Sequence, residues 1–309
     1  MNAFLLIDFG ASYIKTVKYH NKAFSEPKAT PSPFNKKTSI NVSELFDCVK
    51  TILKQYDDCD KVVCCTIMGG GYRDNTYYSW KSSIKNHNKI DLISGLFTQS
   101  DDFHRHADHD IDGITGLKKI GTLYSKIFYT PLADTECVRR SVELKKNEFM
   151  VNLGTGSQIL GISYTHSFIP SGRAFNVYNR FFNSFGFNMF DYFSTLSMTD
   201  IELSDMNFNL NVFDESHLYS DGGEITKITE SGFNKNNFFS SLFRSYLNQY
   251  VEILKNLKPS KVYLTGGISR KYPIIKTYLQ KELQKNVVLL NNKHEDTHVG
   301  LASFVEKHL

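Results

Sequence analysis

Phe149-Met150-Val151-Asn152-Leu153-Gly154-Thr155-Gly156-Ser157-Gln158-Ile159-Leu160 lies at the midpoint of a 309-residue chain. The apolar run Phe149–Val151 has the pattern of a buried strand, and a strand pattern resumes over Ile159–Tyr164. Gly154-Thr155-Gly156 between them predicts a tight turn, because glycine takes positive φ without steric cost. Such a turn leaves backbone N–H groups exposed in a small concavity, which suits a phosphate.

The same pattern occurs at the N-terminus, where Leu5-Leu6-Ile7-Asp8-Phe9-Gly10-Ala11-Ser12-Tyr13-Ile14-Lys15 again reads as strand, small-residue turn and strand. Asp8 aligns with Asn152, Gly10 with Gly154 and Ser12 with Gly156, at a constant offset of 144 residues. One glycine-turn hairpin is weak evidence of function. Two at equivalent places predict two related halves, residues 1–148 and 149–309, each opening with a hairpin. Facing each other across a cleft, the two turns would clamp the phosphates of a nucleotide. A third element, Lys261-Val262-Tyr263-Leu264-Thr265-Gly266-Gly267-Ile268-Ser269, predicts a strand running into a Gly-Gly turn, with a helix over Tyr272–Leu283.

These three stretches resemble the phosphate-1, phosphate-2 and adenosine motifs of the sugar-kinase/actin/hexokinase superfamily. Within it the chain is most similar to the FGGY carbohydrate kinases. Pro131-Leu132-Ala133-Asp134-Thr135-Glu136-Cys137, with Asp134 twenty residues before Gly154, resembles the short loop that carries the catalytic aspartate of that family. Lys61–Met68, Gly69-Gly70-Gly71-Tyr72 and Trp80-Lys81 resemble its strand–loop–Trp segment near the sugar. Gly116–Thr122 resembles the segment leading to the catalytic loop. The chain departs from the family where a substrate-binding Gln or His commonly follows the strand. Met68-Gly69-Gly70 stands there instead, so the usual sugar contacts do not carry over. Ala133 also replaces a commoner glycine. The family usually runs to nearly twice this length, most of the shortfall lying before Asp134.

The resemblance implies an α/β fold with two ribonuclease-H-like domains flanking a nucleotide cleft. It implies ATP and Mg²⁺, with Asp8 holding Mg²⁺ through water and Asp134 as general base toward a sugar or polyol hydroxyl. Gly10, Ala11, Ser12, Lys15, Gly154, Thr155 and Gly156 would bind the phosphates, and Gly266 and Gly267 the adenosine. Trp80, His104 and Asp134 are candidates for the acceptor side. The alternatives are a nucleotide-binding regulatory or actin-like protein without transfer activity, a degenerate kinase, and a transferase of another group.

Composition is that of an ordinary globular chain, with 41% hydrophobic and 22% charged residues, long enough for two domains. A net charge of +4 without a basic run argues against nucleic acid as partner. No stretch of 18 apolar residues and no signal sequence is present, so a cytoplasmic protein is expected, with a homodimer left open. Five cysteines (Cys48, Cys59, Cys64, Cys65, Cys137) in apolar surroundings form no CxxC pair and are expected to be reduced thiols. His104, His106 and His109 with flanking aspartates have ligand chemistry but no standard zinc spacing, so they are read as a solvated loop.

Ser43–Tyr56 predicts an amphipathic helix capped by Ser43, and Val62–Ile67 a buried strand. Lys126–Tyr129 predicts the strand that delivers Asp134, which either faces a cleft or caps the stretch Glu136–Val142. Phe175–Phe193 reads as aromatic packing at irregular spacing. Phe238–Leu257 predicts a long amphipathic helix, Asn286–Leu290 a strand and Val299–Leu309 a last helix.

Overall fold

The computed structural model describes residues 3–34, 37–66, 70–79, 82, 87–99, 104–105, 117–154, 156–168, 171–212, 223–291 and 293–307. In chain order it begins with β1 (Ala3–Phe9), β2 (Tyr13–His20), β3 (Ala23–Phe24), β4 (Lys28–Pro31), β5 (Ser39–Asn41) and α1 (Val42–Leu53). Then come β6 (Cys59–Thr66), β7 (Gly71–Arg73), β8 (Thr76–Tyr78), β9 (Asn88–Lys89), α2 (Leu92–Gln99) and β10 (His104–Arg105). β11 (Lys119–Leu123), β12 (Lys126–Tyr129), β13 (Leu132–Ala133) and α3 (Asp134–Arg140) complete the first stretch. The second stretch comprises β14 (Glu148–Leu153), β15 (Ser157–Leu160), β16 (Thr165–Phe168), α4 (Ser171–Asn183), α5 (Met189–Phe193) and α6 (Met198–Leu203). It continues through β17 (Asn207–Asn209), β18 (Glu224–Thr226), α7 (Lys235–Leu257), β19 (Lys261–Thr265), α8 (Gly267–Lys271), α9 (Ile274–Leu283) and β20 (Asn286–Leu289). The last helix is α10 (Asp296–Glu306).

Two compact units result: Met1–Glu143 together with Lys293–Leu309, and Leu144–Asn292. They repeat one plan. In the first unit β1 pairs antiparallel with β2 and parallel with β6, which pairs parallel with β12. In the second, β14 pairs antiparallel with β15 and parallel with β19, which pairs parallel with β20. Helix α1 carries the crossover from the first hairpin to β6, and α7 leads directly into β19. The expected duplication is therefore present in the strand pairing: β2 begins at Tyr13 and β15 at Ser157, again 144 residues apart.

The apolar runs follow from burial on both faces. Leu5 and Ile7 of β1 face a core with Leu45, Val49 and Ile52 of α1, while Phe4 and Leu6 face a second core with Cys137, Leu301 and Val305. That second core explains a difference from the expected boundary. The C-terminal helix belongs with the first unit, because β1 and β6 need cover on their second face and α10 with α3 supplies it. Glycine at 300 lets α10 lie directly against the Cys137 backbone of α3, where a Cβ would stand 2.8 Å from the Cys137 Cα.

Three local expectations shift. Asn41, not Ser43, caps α1, its Oδ1 accepting the Ser43 N–H at 3.0 Å. The aromatic stretch forms helices α4 and α5, with Phe175 and Phe193 packed on Phe243 of α7. The helix expected over Tyr272–Leu283 starts two residues later, as α9 behind its N-cap residue Pro273, and a separate short helix, α8, precedes it. Among the described residues no helix is long and apolar enough to cross a membrane.

Candidate functional site

Strand register brings the two candidate carboxylates to the same end of the first sheet. Asp8 of β1 pairs with Cys65 of β6, and on the other side of β6 Leu132 of β13 pairs with the same Cys65. Phe9, Thr66 and Ala133 follow one step on, and Asp134 comes next as the first residue of α3. Both carboxylates thus sit at the carboxyl ends of parallel strands, where α/β sheets bind their ligands. Their backbones are two strand spacings apart, about 10 Å.

Asp134 sits at the start of α3 but is not its cap. Ala133 is the N-cap residue and makes no side-chain cap. The Asp134 Oδ1 accepts its neighbour's Thr135 N–H at 2.7 Å. Burial raises the Asp134 pKa above the usual carboxylate range; the Thr135 amide opposes this, and the negative charge of Asp8 adds to it. A carboxylate tuned upward next to a second one is the pattern of a proton acceptor.

Asp8 is held from two sides. The Cys65 thiol lies 3.5 Å from its Oδ1, and the Thr297 hydroxyl donates to its Oδ2 at 2.9 Å. Cys65 stays a thiol, because its hydrogen bond with Cys137 and its burial both push its pKa well up. Cys137 is fully buried, as expected of a reduced structural thiol. Lys15, expected to reach phosphate, instead pairs with Glu295 at 2.9 Å. His298 is fully buried with its Nε2 3.2 Å from the Lys15 carbonyl oxygen.

The turns differ in detail from the expected exposed amides. Gly10 N–H donates to the Asp8 carbonyl at 3.1 Å, and Gly154 N–H to the Ser157 hydroxyl at 3.3 Å. Both are turned inward. The amides of Ala11 and Ser12 in the first unit and of Gly156 in the second take no backbone partner among the described residues. Nor do Gly10, Gly154 and Gly156 adopt positive φ. Glycine at 10 is required by space, since a Cβ would stand 2.6 Å from the Tyr13 carbonyl oxygen.

The Gly266-Gly267 pair splits into two roles. Gly266 has φ 94° and ψ 163°, a region open in practice only to glycine, and a Cβ there would overlap the Leu153 carbonyl oxygen. It locks β19 against the end of β14. Gly267 opens α8 and has nothing within 4 Å of an added Cβ, so it borders open space.

His104 is not brought to the carboxylates. It is exposed on β10, the outer strand of the order β10-β11-β12-β6-β1. Four strand spacings separate it from Asp8, about 19 Å. Trp80, Lys81, Met68, Gly69, Thr155, His106 and His109 lie outside the described residues. Among the described residues no group of three or more His, Cys, Asp or Glu could hold a metal by itself.

Thr297, Glu295, His298 and Cys65 were missed from sequence. The α10 residues lie almost 290 positions from Asp8 along the chain, and no local pattern announces that contact.

No protein-family profile matches the chain, and no curated protein matches its sequence. Solved structures match in fold. The whole chain aligns with 89% of the ligand-bound xylulose kinase from Lactobacillus acidophilus at a TM-score of 0.67 and 12% identity. The xylulose kinase from Rhodospirillum rubrum aligns over 98% of this chain and 89% of its own, at TM-score 0.64 and 9% identity. That from Brucella ovis aligns over 99% and 91%, at TM-score 0.62 and 10% identity. At such identities the likeness is one of fold, and the chain has the mixed α/β fold of these kinases.

Proposed function

We propose that the protein is an ATP-dependent kinase that transfers the γ-phosphoryl group to a hydroxyl of a sugar or polyol, with Asp134 as general base. The observation that carries this is the placement of Asp8 and Asp134 at the carboxyl ends of two parallel strands that flank β6, with the Asp134 pKa raised by burial and by the charge of Asp8. The fold shared with xylulose kinases supports a sugar or polyol as the acceptor class.

The residues fit Mg²⁺ and a nucleotide. A half-buried carboxylate, with a second one two strand spacings away, is a hard-oxygen donor set too small to cage an ion. It suits Mg²⁺, which keeps several waters and takes further oxygens from phosphate. Asp8 would hold it through water, and when bound it neutralises charge on the phosphate oxygens. The amides of Ala11, Ser12 and Gly156 would donate to phosphate, together with Thr155 of the second turn. The open space at Gly267 would admit the adenosine, with Gly266 shaping the turn. Trp80 would contribute to the acceptor side.

In the transfer, the acceptor oxygen bonds to the γ-phosphorus, the bond to the bridging oxygen of the leaving ADP breaks, and the hydroxyl proton passes to Asp134. Positioning and electrostatics supply most of the acceleration in such a reaction. A base whose pKa is raised toward the working pH takes a proton more effectively while still ionised.

The Gly10 and Gly154 amides, already bonded within their own turns, favour one second reading, a nucleotide-binding regulatory protein without transfer activity. A thermal-shift screen separates them. Sugars and polyols are tested with and without Mg²⁺ and a non-hydrolysable ATP analogue. Stabilisation by Mg²⁺ and analogue that rises further with one acceptor class supports the kinase. Stabilisation by nucleotide with no response to any acceptor supports the regulatory reading.

A further inference from the structure

The C-terminal helix and the residues just before it reach back to β1, β2 and β3 at several points. The ion pair of Lys15 with Glu295 spans 2.9 Å, and the His298 Nε2 lies 3.2 Å from the Lys15 carbonyl oxygen. The ring of His294 stacks on Phe24 with centroids 4.5 Å apart, and the Tyr19 hydroxyl donates to the Glu306 carboxylate near the far end of α10. Gly300 seats the middle of α10 on α3. The backbone at 297 is thereby fixed against β1 and β2 along the length of the helix. Threonine is stiff at χ1 because it is β-branched, so its hydroxyl is aimed by that backbone. Its target is the Oδ2 of Asp8, at 2.9 Å.

A carboxylate that receives one hydrogen bond on Oδ2 and a thiol on Oδ1 is set in one rotamer, and its remaining lone pairs keep a fixed direction. Groups that orient a metal-holding carboxylate act on metal affinity without touching the metal. We infer that Thr297 is a positioning residue for Asp8, through which the C-terminal helix sets how much Mg²⁺ the phosphate site requires. This rests on the Mg²⁺–ATP reading of the site.

The test uses the full chain and a non-hydrolysable ATP analogue, with Mg²⁺ titrated from zero and binding followed by calorimetry. Thr297→Val keeps the shape and removes the donor, and Thr297→Ser keeps the donor. Orienting residues of this kind typically change metal affinity by about 10–100-fold. Thr297→Val should raise the Mg²⁺ concentration for half-maximal analogue binding by that order, with metal-free analogue affinity unchanged, and Thr297→Ser should return it toward wild type. Thr297→Ala gives the same reading should the valine variant not fold. Wild-type Mg²⁺ dependence in Thr297→Val overturns the inference. So does a loss that appears equally without metal, which marks a merely structural role. Wild-type analogue binding that ignores Mg²⁺ removes the Mg²⁺–ATP reading itself, and the inference with it.

Discussion

Gly266→Ala and Gly267→Ala, one residue apart, should fail in different ways. At Gly266 the backbone holds φ 94° and ψ 163°, which costs a residue with a Cβ about 1–3 kcal/mol. The new methyl would also overlap the Leu153 carbonyl oxygen and stand 2.7 Å from the Asn152 Oδ1. Overpacking of this kind adds roughly 1–3 kcal/mol. A total of about 4 kcal/mol acts on the unit Leu144–Asn292, where each kcal/mol moves Tm by about 2–4 °C. Gly266→Ala should therefore lower the melting temperature of that unit by about 8–16 °C. Gly267 is the first residue of α8 with open space around it, and alanine favours a helix over glycine, so its variant should melt at or slightly above wild type. Its methyl points into the space assigned to adenosine, so binding of an ATP analogue should weaken instead. The assay is differential scanning fluorimetry beside calorimetric analogue binding on both variants. A Gly266→Ala protein that melts within a degree of wild type, or a Gly267→Ala protein with wild-type affinity, refutes the division of roles.

Three other outcomes follow from contacts in the first unit. Gly300→Ala would push α10 off α3, because the Cβ would lie 2.8 Å from the Cys137 Cα, and should cost roughly 1–3 kcal/mol in urea unfolding. Asp134→Asn should stabilise the protein at neutral pH. Its folded pKa is raised, so the native state binds the proton more readily than the unfolded chain, and wild-type stability falls as pH rises through that window. The gain from asparagine should shrink when unfolding is repeated at about pH 4, near the ordinary aspartate value. Chelation of Mg²⁺ should weaken nucleotide binding in wild type and do far less in Asp8→Asn, since that variant has already lost the proposed metal-holding carboxylate; equal sensitivity in both would separate Asp8 from the metal.

The parts that sequence made legible are those written in contiguous residues. Both hairpins and the glycine pair are each a short apolar run beside a small-residue turn, and the structure places the two hairpins in equivalent strand positions, β1 with β2 and β14 with β15. What sequence could not show depends on partners far away in the chain. The inward turn of the Gly154 amide depends on the Ser157 side chain, and Lys15 looked available until Glu295 of the distant C-terminal segment took it. The C-terminal helix read as part of the second half because its amphipathic pattern says only that one face is buried. It does not say against which sheet. Cys65 looked like one more apolar-flanked thiol, and only the pairing of β1, β6 and β13 puts it beside Asp8.

Phosphoryl transfer by wild type and Asp134→Asn, measured side by side with ATP affinity, bears most directly on the kinase assignment. Each protein is incubated with Mg²⁺, γ-labelled ATP and the sugar or polyol that gives the largest thermal shift, and labelled acceptor is quantified. Asparagine keeps the size of Asp134 and its acceptor oxygen toward the Thr135 amide but cannot take a proton. Transfer should fall by about 10²–10⁴ in kcat, the usual contribution of a general base, while ATP affinity stays within about two-fold. Equal transfer by both proteins would remove Asp134 from the mechanism, and tight ATP binding by wild type with no labelled acceptor would contradict the kinase assignment.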